Sequence, residues 1–384
     1  MEALQVARKI MNVLNQAGFE CLIVGGYVRD LLIGKENSDI DLATNALPEE
    51  VIKLFKRVVP TGLKHGTVTV IEGKYQFEIT TYRSEMPYLD YRHPSAVNFE
   101  KEFSKDVLRR DFTMNALGLT IDNQVIDYVE GRKDIENNLI RCVGLAKERF
   151  SEDALRMLRA FRFVSQLDFD LTEDVKLAIK EKGHLIHDIS MERILVEFEK
   201  MSLSPYFLKA IELMNETGFI NQLPSFTLGL RQILLNQFKP QAIEEFYAVL
   251  ALNSSLEVID ALPISNFLKK NIHLIYEMVQ IGITDFNEIL LFRNGLETCI
   301  AVNHINQAFK GIKLLDQEMI DKYERLPLKK QCDLVFKGDQ IIELFNKKPG
   351  AWISDILDDI CLQVLLGLLK NDYEEIRQYL LKKY

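Results

Sequence analysis

The sequence predicts an α+β head, a mixed sheet with helices, followed by an all-helical remainder. Short β-type apolar runs alternate with helices only up to about residue 145. Beyond that point nearly everything has helical period, broken at Leu203-Ser204-Pro205, Leu223-Pro224-Ser225, Leu262-Pro263, Leu326-Pro327 and Pro349-Gly350. A chain of 384 residues that is 47% hydrophobic can bury a sizeable core and divides into two or more domains.

Each element has a local reason. Residues 5–17 are amphipathic at helical spacing and stop at Gly18, and Cys21–Val24 is an apolar run short enough to be a buried strand. Gly25-Gly26 then turns the chain into a short helix over 28–33, and residues 39–43 read as a second strand. Pro48 sits where a helix through residue 55 begins. Residues 67–71 and 76–81 form a hairpin around Gly73-Lys74. There is no internal repeat and no low-complexity tract.

Composition narrows the function classes. A net charge of −9 excludes a uniformly basic nucleic-acid binder, so an RNA site must be a local patch. No N-terminal signal pattern and no apolar run of about 18 residues is present, which predicts a soluble, cytoplasmic chain with no membrane partner. Cys21, Cys142, Cys299, Cys332 and Cys361 are odd in number and lack Cys-x-x-Cys spacing, as expected of reduced, mostly buried thiols. His184 and His187 have no third ligand nearby in sequence and read as surface residues.

Three constellations carry chemistry. In Ser38-Asp39-Ile40-Asp41-Leu42, a strand would project both carboxylates from one side, where they can grip a divalent cation together. Carboxylate oxygens suit Mg²⁺, which takes one or two protein carboxylates plus substrate phosphates. The tripeptide alone is common on surface loops, and it gains meaning from Ile23-Val24-Gly25-Gly26-Tyr27-Val28-Arg29-Asp30 upstream. There the glycines let backbone N–H groups approach a triphosphate.

The second constellation is Arg109-Arg110-Asp111-Phe112-Thr113-Met114-Asn115-Ala116. Its guanidiniums suit phosphate and hydroxyl oxygens, and its aspartate can accept from a ribose hydroxyl. The third runs from Ser151, a candidate N-cap, through Glu152, Asp153, Arg156 and Arg159. A carboxylate beside a guanidinium matches the Watson–Crick edge of a base whose exocyclic amine is that of cytosine or adenine. Read singly, the second is also a charged helix cap and the third a solvated helix laced by Glu152 and Arg156.

Together these segments resemble class II tRNA nucleotidyltransferases, the CCA-adding family, over roughly residues 20 to 200. Lys337-Gly338-Asp339 and Pro349-Gly350-Ala351-Trp352-Ile353 resemble the tail of bacterial members more weakly. The resemblance implies a polymerase-β-like nucleotidyltransferase head over 1–144, a base-reading helical neck over 145–203, a helical body over 204–310 and a tRNA-binding tail over 311–384. It implies Asp39 and Asp41 as ligands of Mg²⁺, with Glu78 as a third catalytic carboxylate. Gly25, Gly26 and Arg29 would hold the triphosphate, and Arg110 and Asp111 the ribose. Asp153 and Arg156 would read CTP and ATP, oriented by Glu152 and Arg159. Ser190-Met191-Glu192-Arg193-Ile194 and Glu197-Phe198 would position helices.

The implied activity is template-independent addition of C, C and A to the 3′ end of tRNA with release of pyrophosphate, and no obligate protein partner is evident. Lysine pairs at 269–270, 329–330, 347–348 and 382–383 are candidates for tRNA phosphate contacts. The segment 82–108, including Tyr88-Leu89-Asp90-Tyr91-Arg92-His93-Pro94, is long enough to be the family's flexible loop, which assists the switch from C to A. Alternatives within the class are an A-adding specialist and a bacterial poly(A) polymerase. From another class comes a non-catalytic RNA-binding module, which the intact acidic and basic positions argue against.

Overall fold

The computed structural model describes residues 2–85, 97–312 and 314–384. Packing divides the chain into two compact units, the first ending at Leu230 and the second spanning Arg231–Tyr384. The segment Tyr88-Leu89-Asp90-Tyr91-Arg92-His93-Pro94 lies outside the described residues.

The first unit begins with α1 (Glu2–Gln16), β1 (Cys21–Val24), α2 (Gly26–Leu32), β2 (Asp41–Thr44), α3 (Pro48–Leu54), β3 (Val58–Gly62), β4 (Thr67–Glu72) and β5 (Tyr75–Thr81). It continues with β6 (Arg83–Glu85), β7 (Val97–Phe99), α4 (Phe103–Val107), β8 (Gly118–Leu119), β9 (Val125–Ile126), α5 (Gly131–Glu136) and β10 (Leu139–Ile140). One mixed sheet has the order β3-β4-β5-β2-β1-β8-β9, and β6 pairs separately with β7. All four residues of β1 are buried, as a central strand requires when neighbours and helices cover it. β1 runs antiparallel to β2 with Ile23 opposite Leu42, while β2 and β5 are parallel with Leu42 opposite Ile79. The β4–β5 hairpin turns at Gly73, whose φ of +62° favours glycine.

The helical remainder of this unit comprises α6 (Ala146–Glu152), α7 (Leu155–Leu167), α8 (Glu173–Lys182), α9 (Met191–Ser202), α10 (Phe207–Glu216) and α11 (Pro224–Leu235), which runs past the unit boundary. One short strand, β11 (Asp170–Leu171), interrupts it by pairing in parallel with β10. On α7 the apolar residues Met157, Leu158, Phe161 and Val164 recur at helical spacing and are fully buried.

Two local expectations are corrected. Asp39 does not lie on a strand, because β2 begins only at Asp41. The preceding loop is held instead by side chains: the Asp39 N–H donates to Asn37 Oδ1 at 2.8 Å, and Asn37 Nδ2 donates to Asp30 Oδ2 at 2.7 Å. Ser151 is not an N-cap either. It lies in α6, where its hydroxyl donates to the Lys147 carbonyl at 2.8 Å, and the helix breaks two residues later at Asp153.

The second unit is helical: α12 (Ile243–Leu252), α13 (Leu256–Ala261), α14 (Asn266–Ile281), α15 (Glu288–Asn294), α16 (Leu296–Lys310), α17 (Asp316–Glu324), α18 (Gly338–Phe345), α19 (Trp352–Leu365) and α20 (Tyr373–Lys383). Leu334, Phe336, Ile341, Ile360, Ile376 and Leu380 share one core. Four of the five cysteines are buried and Cys332 is exposed.

A polar clamp ties α12, α16 and α17. His304 Nδ1 lies 2.8 Å from Glu245 Oε1 and Nε2 lies 2.7 Å from Asp316 Oδ2. The hydrogen bond to Glu245 is the main cause that pushes the His304 pKa up to about 9. A histidine whose folded pKa exceeds its unfolded value contributes stability that is fully present below about pH 6.5 and is lost as pH rises through 9. His304→Gln is therefore expected to destabilise this unit by up to about 3 kcal/mol at pH 6. Urea denaturation at pH 6 and pH 10 checks it, because the gap between variant and parent should narrow at the higher pH.

Candidate active site

The catalytic candidates gather where β1 ends, β2 begins and the middle of β5 runs alongside. Asp39, Asp41 and Glu78 are exposed as residues, although neighbouring atoms crowd the Asp41 carboxylate itself; Asp41 stands at the start of β2 and Glu78 on β5 between the buried Phe77 and Ile79. Loss of solvent around the Asp41 carboxylate, then repulsion from Asp39 and Glu78, pushes its pKa up to about 6, with Arg110 acting in the opposite direction. Arg110 offsets this mutual repulsion only in part, since the Asp41 pKa stays raised. Among the described residues no three His, Cys, Asp or Glu side chains close into a ready-made metal cage. An open carboxylate group nonetheless fits a hard divalent ion, which takes its other ligands from substrate phosphates and water.

Gly25 borders the same space. Its φ is +74°, and a Cβ there would stand 4.0 Å from both Arg110 Nη1 and Asp41 Oδ2, so any larger side chain would enter the acidic cleft. Gly26 opens α2, which has only seven residues. Arg29 is buried rather than open to the cleft: Nε donates to Asp30 Oδ1 at 2.9 Å and Nη1 to Asn115 Oδ1 at 2.7 Å, with the guanidinium over the Phe163 ring at 5.2 Å.

Arg110 is held in turn by Asp106 on α4, a fully buried carboxylate. Arg110 Nη2 donates to Asp106 Oδ2 at 2.9 Å, Arg109 Nε to Oδ1 at 2.8 Å, and the Arg83 N–H to Oδ1 at 3.2 Å. Burial opposes ionisation of Asp106, but Arg109 and Arg110 outweigh it and keep the carboxyl below its ordinary range. Asp111 behaves alike. Burial opposes its charge, yet Arg159 donates through Nε at 2.8 Å and Nη2 at 2.6 Å to Oδ2, and the pKa falls.

Arg159 thereby joins the sheet portion to α7, which carries Arg156 and follows directly on Asp153. Asp153 lies in the break between α6 and α7 with φ −141° and ψ 104°. Its Oδ1 accepts from the Leu155 N–H at 3.1 Å, and its Oδ2 accepts from Arg193 Nη2 at 2.7 Å. Arg156 Nη1 donates to Glu152 Oε2 at 2.6 Å, and Arg149 Nη2 lies 2.7 Å from the other oxygen of Glu152. Behind them Arg162 Nε meets Glu197 Oε2 at 2.5 Å, and Arg162 stacks 4.1 Å over Phe163. The structure thus links Asp111, Arg159, Glu197 and Arg162 in one network, with Glu152–Arg156 and Asp153–Arg193 as adjoining pairs.

Sequence reasoning missed Asp30 and Asn37, Asp106, and Asn115 as supports. Asp106 had a visible signal, since it precedes Arg109 and Arg110 by helical spacing; Asp30 and Asn37 pair across a loop that has no period, and Asn115 acts across a long chain separation.

Comparison with known proteins covers the whole chain. Residues 21–141 match the poly A polymerase head domain family, 168–228 the RNA and SrmB-binding site of polymerase A, and 238–380 the tRNA nucleotidyltransferase domain 2 family. A CCA-adding enzyme from Geobacillus sp. (strain WCH70) is 36% identical over 100% of this chain and 98% of its own. One from Bacillus cereus (strain B4264) is also 36% identical, over 99% of this chain and 98% of its own. The crystal structure of the Bacillus stearothermophilus CCA-adding enzyme in complex with CTP superposes with a TM-score of 0.85 at 33% identity, covering 100% of this chain and 98% of that one. The Thermotoga maritima enzyme complexed with tRNA, at 21% identity and a TM-score of 0.63, shares the fold. The motifs, the mixed sheet with its helical remainder and these full-length likenesses agree, and the chain belongs to the family of CCA-adding tRNA nucleotidyltransferases.

Proposed function

We propose that this protein adds C, C and A in turn to the 3′ end of tRNA, using CTP and ATP and no nucleic-acid template. The terminal ribose hydroxyl attacks the α-phosphate, a new P–O bond forms, the bond to the β-phosphate oxygen breaks and pyrophosphate leaves. The observation that supports this reading is the Arg159–Asp111 contact, which joins α7 to the segment carrying Arg110 beside the acidic cleft, within one compact unit.

Each side chain has a role in it. Asp39 and Asp41, with Glu78 beside them, would hold a divalent ion, Mg²⁺ by its oxygen chemistry, which when bound activates the hydroxyl and offsets charge on the phosphates. Gly25 and Gly26 leave room for the triphosphate against the backbone. Arg110 supplies positive charge next to Asp41, and Asp111, braced by Arg159, accepts from the ribose. Arg29 acts from behind, its buried fork fixing Asp30 and Asn115. Asp153 accepts from the exocyclic amine of cytosine or adenine while Arg156 donates to the ring, with Glu152 holding Arg156 in place. Uracil and guanine present the wrong group at that amine.

Removing either reader should therefore cost selectivity more than binding. For Asp153→Ala or Arg156→Ala, discrimination against UTP and GTP is expected to fall by about 5- to 150-fold, the worth of about 1–3 kcal/mol for a bidentate base contact. Unchanged selectivity in both variants would move base reading elsewhere. The function itself is tested with transcripts ending at the discriminator base, at C or at CC, supplied with CTP, ATP or both and read at single-nucleotide resolution. Addition of three residues to the shortest transcript is the expected result. Extension of only the CC-ended transcript would mean an A-adding specialist, and long A tracts a poly(A) polymerase.

A further inference from the structure

Asp39 stands in the loop that joins α2 to β2, and the backbone holds that loop weakly. The Lys35 N–H donates to the Asp30 carbonyl at 2.8 Å, closing the turn after α2. From Glu36 to Ser38, among the described residues, no backbone group bonds to another backbone group. Packing does not fix the segment either, since two cavities of about 660 and 590 Å³ both have it in their walls. One side chain supplies the missing order: Asn37 accepts from the Asp39 N–H through Oδ1 at 2.8 Å and donates through Nδ2 to Asp30 Oδ2 at 2.7 Å. We propose that Asn37 is a positioning residue for Asp39, setting where that carboxylate stands against Asp41 and thereby how tightly the acidic cleft binds a divalent ion. The inference rests on the reading of Asp39 and Asp41 as metal ligands.

The chemistry of the amide fits this task. A backbone N–H can only donate and an ionised carboxylate can only accept, so the group between them must offer an acceptor to one and a donor to the other. Asparagine does both, whereas an aspartate would set a second carboxylate against Asp30. The far end of the tie is firm. Asp30 is buried, its Oδ1 accepts from Arg29 Nε at 2.9 Å, and Arg29 Nη1 donates in turn to Asn115 Oδ1 at 2.7 Å. Asp30 also belongs to α2, which begins at Gly26. Asn37 therefore holds Asp39 in one frame with the turn that borders the triphosphate space. Loss of the amide would leave Asp30 and every ligand oxygen in place and release only the loop, so its effect falls on ligand orientation.

The test compares Asn37→Ala, Asn37→Ser, Asp39→Ala and the double variant Asn37→Ala/Asp39→Ala in the full-length protein. Mn²⁺ binding without nucleotide or tRNA is read from the loss of the free-ion EPR signal, and Asp39→Ala defines the share held by the cleft. Asn37→Ala is expected to bind Mn²⁺ about 2- to 12-fold more weakly, the worth of one hydrogen bond. The Mg²⁺ concentration for half-maximal incorporation of C should rise by the same factor, with kcat at saturating Mg²⁺ returning toward that of the parent. Asn37→Ser should recover part of the loss, because its hydroxyl can still accept from the Asp39 N–H. The double variant should bind no more weakly than Asp39→Ala alone, as for two residues acting as one unit. Parent-like Mn²⁺ affinity in Asn37→Ala while Asp39→Ala loses it would overturn the inference and leave Asn37 a residue of the loop only. Parent-like affinity in Asp39→Ala would overturn the metal-ligand reading instead, and the inference with it. Thermal unfolding establishes that folded proteins are compared, and should Asn37→Ala fail to fold, Asn37→Ser carries the same comparison.

Discussion

Asp39→Ala is expected to abolish incorporation of C and A alike, by about a thousand-fold or more, while leaving tRNA binding close to that of the parent. The carboxylate cluster serves bond formation for either nucleotide, and a catalytic metal site contributes several kcal/mol to the barrier, about tenfold for each 1.4 kcal/mol. Asp39 also raises the charge repulsion at Asp41, so its removal eases protonation pressure there without replacing the lost oxygen. Single-turnover incorporation at saturating CTP or ATP, paired with filter binding of tRNA, separates chemistry from binding. Normal turnover in Mg²⁺ would overturn the metal-ligand assignment. Chelation of divalent ions should reproduce the defect in the parent protein, and added Mg²⁺ should reverse it.

Glu197→Ala should be the most destabilising single change near the site. Its carboxylate is almost wholly buried, meets Arg162 Nε at 2.5 Å and lies 4.0 Å from Arg159 Nη1. Removing it leaves the buried Arg162 guanidinium uncompensated, which costs about 3–5 kcal/mol. Arg159 would also lose part of its surroundings, so the Asp111 contact should loosen and nucleotide KM should rise. Chemical denaturation and steady-state kinetics check the two effects separately. A loss under about 1 kcal/mol would show that water or rearrangement replaces the pair.

Much of this arrangement was legible because it follows from local rules. β1 matches its apolar run residue for residue, the β4–β5 hairpin turns at Gly73, and α3 begins at Pro48. What could not be read depends on individual side-chain bonds, some local and some between distant residues. Asp39 falls off the strand because Asp30 and Asn37 organise the preceding loop with side-chain bonds. Ser151 was misplaced because α6 starts upstream at Ala146 in good helix formers and runs through it before the break at Asp153. The burial of Arg29 needs Asn115, and the bracing of Asp153 needs Arg193, both far along the chain. Periodicity carries no information about either.

Asp153 and Arg156 are both hydrogen-bonded to protein groups before any nucleotide arrives. If these two side chains read the base, as proposed, the cost of ordering them is settled within the protein, and less of the contact energy goes into immobilising rotamers when the nucleotide binds.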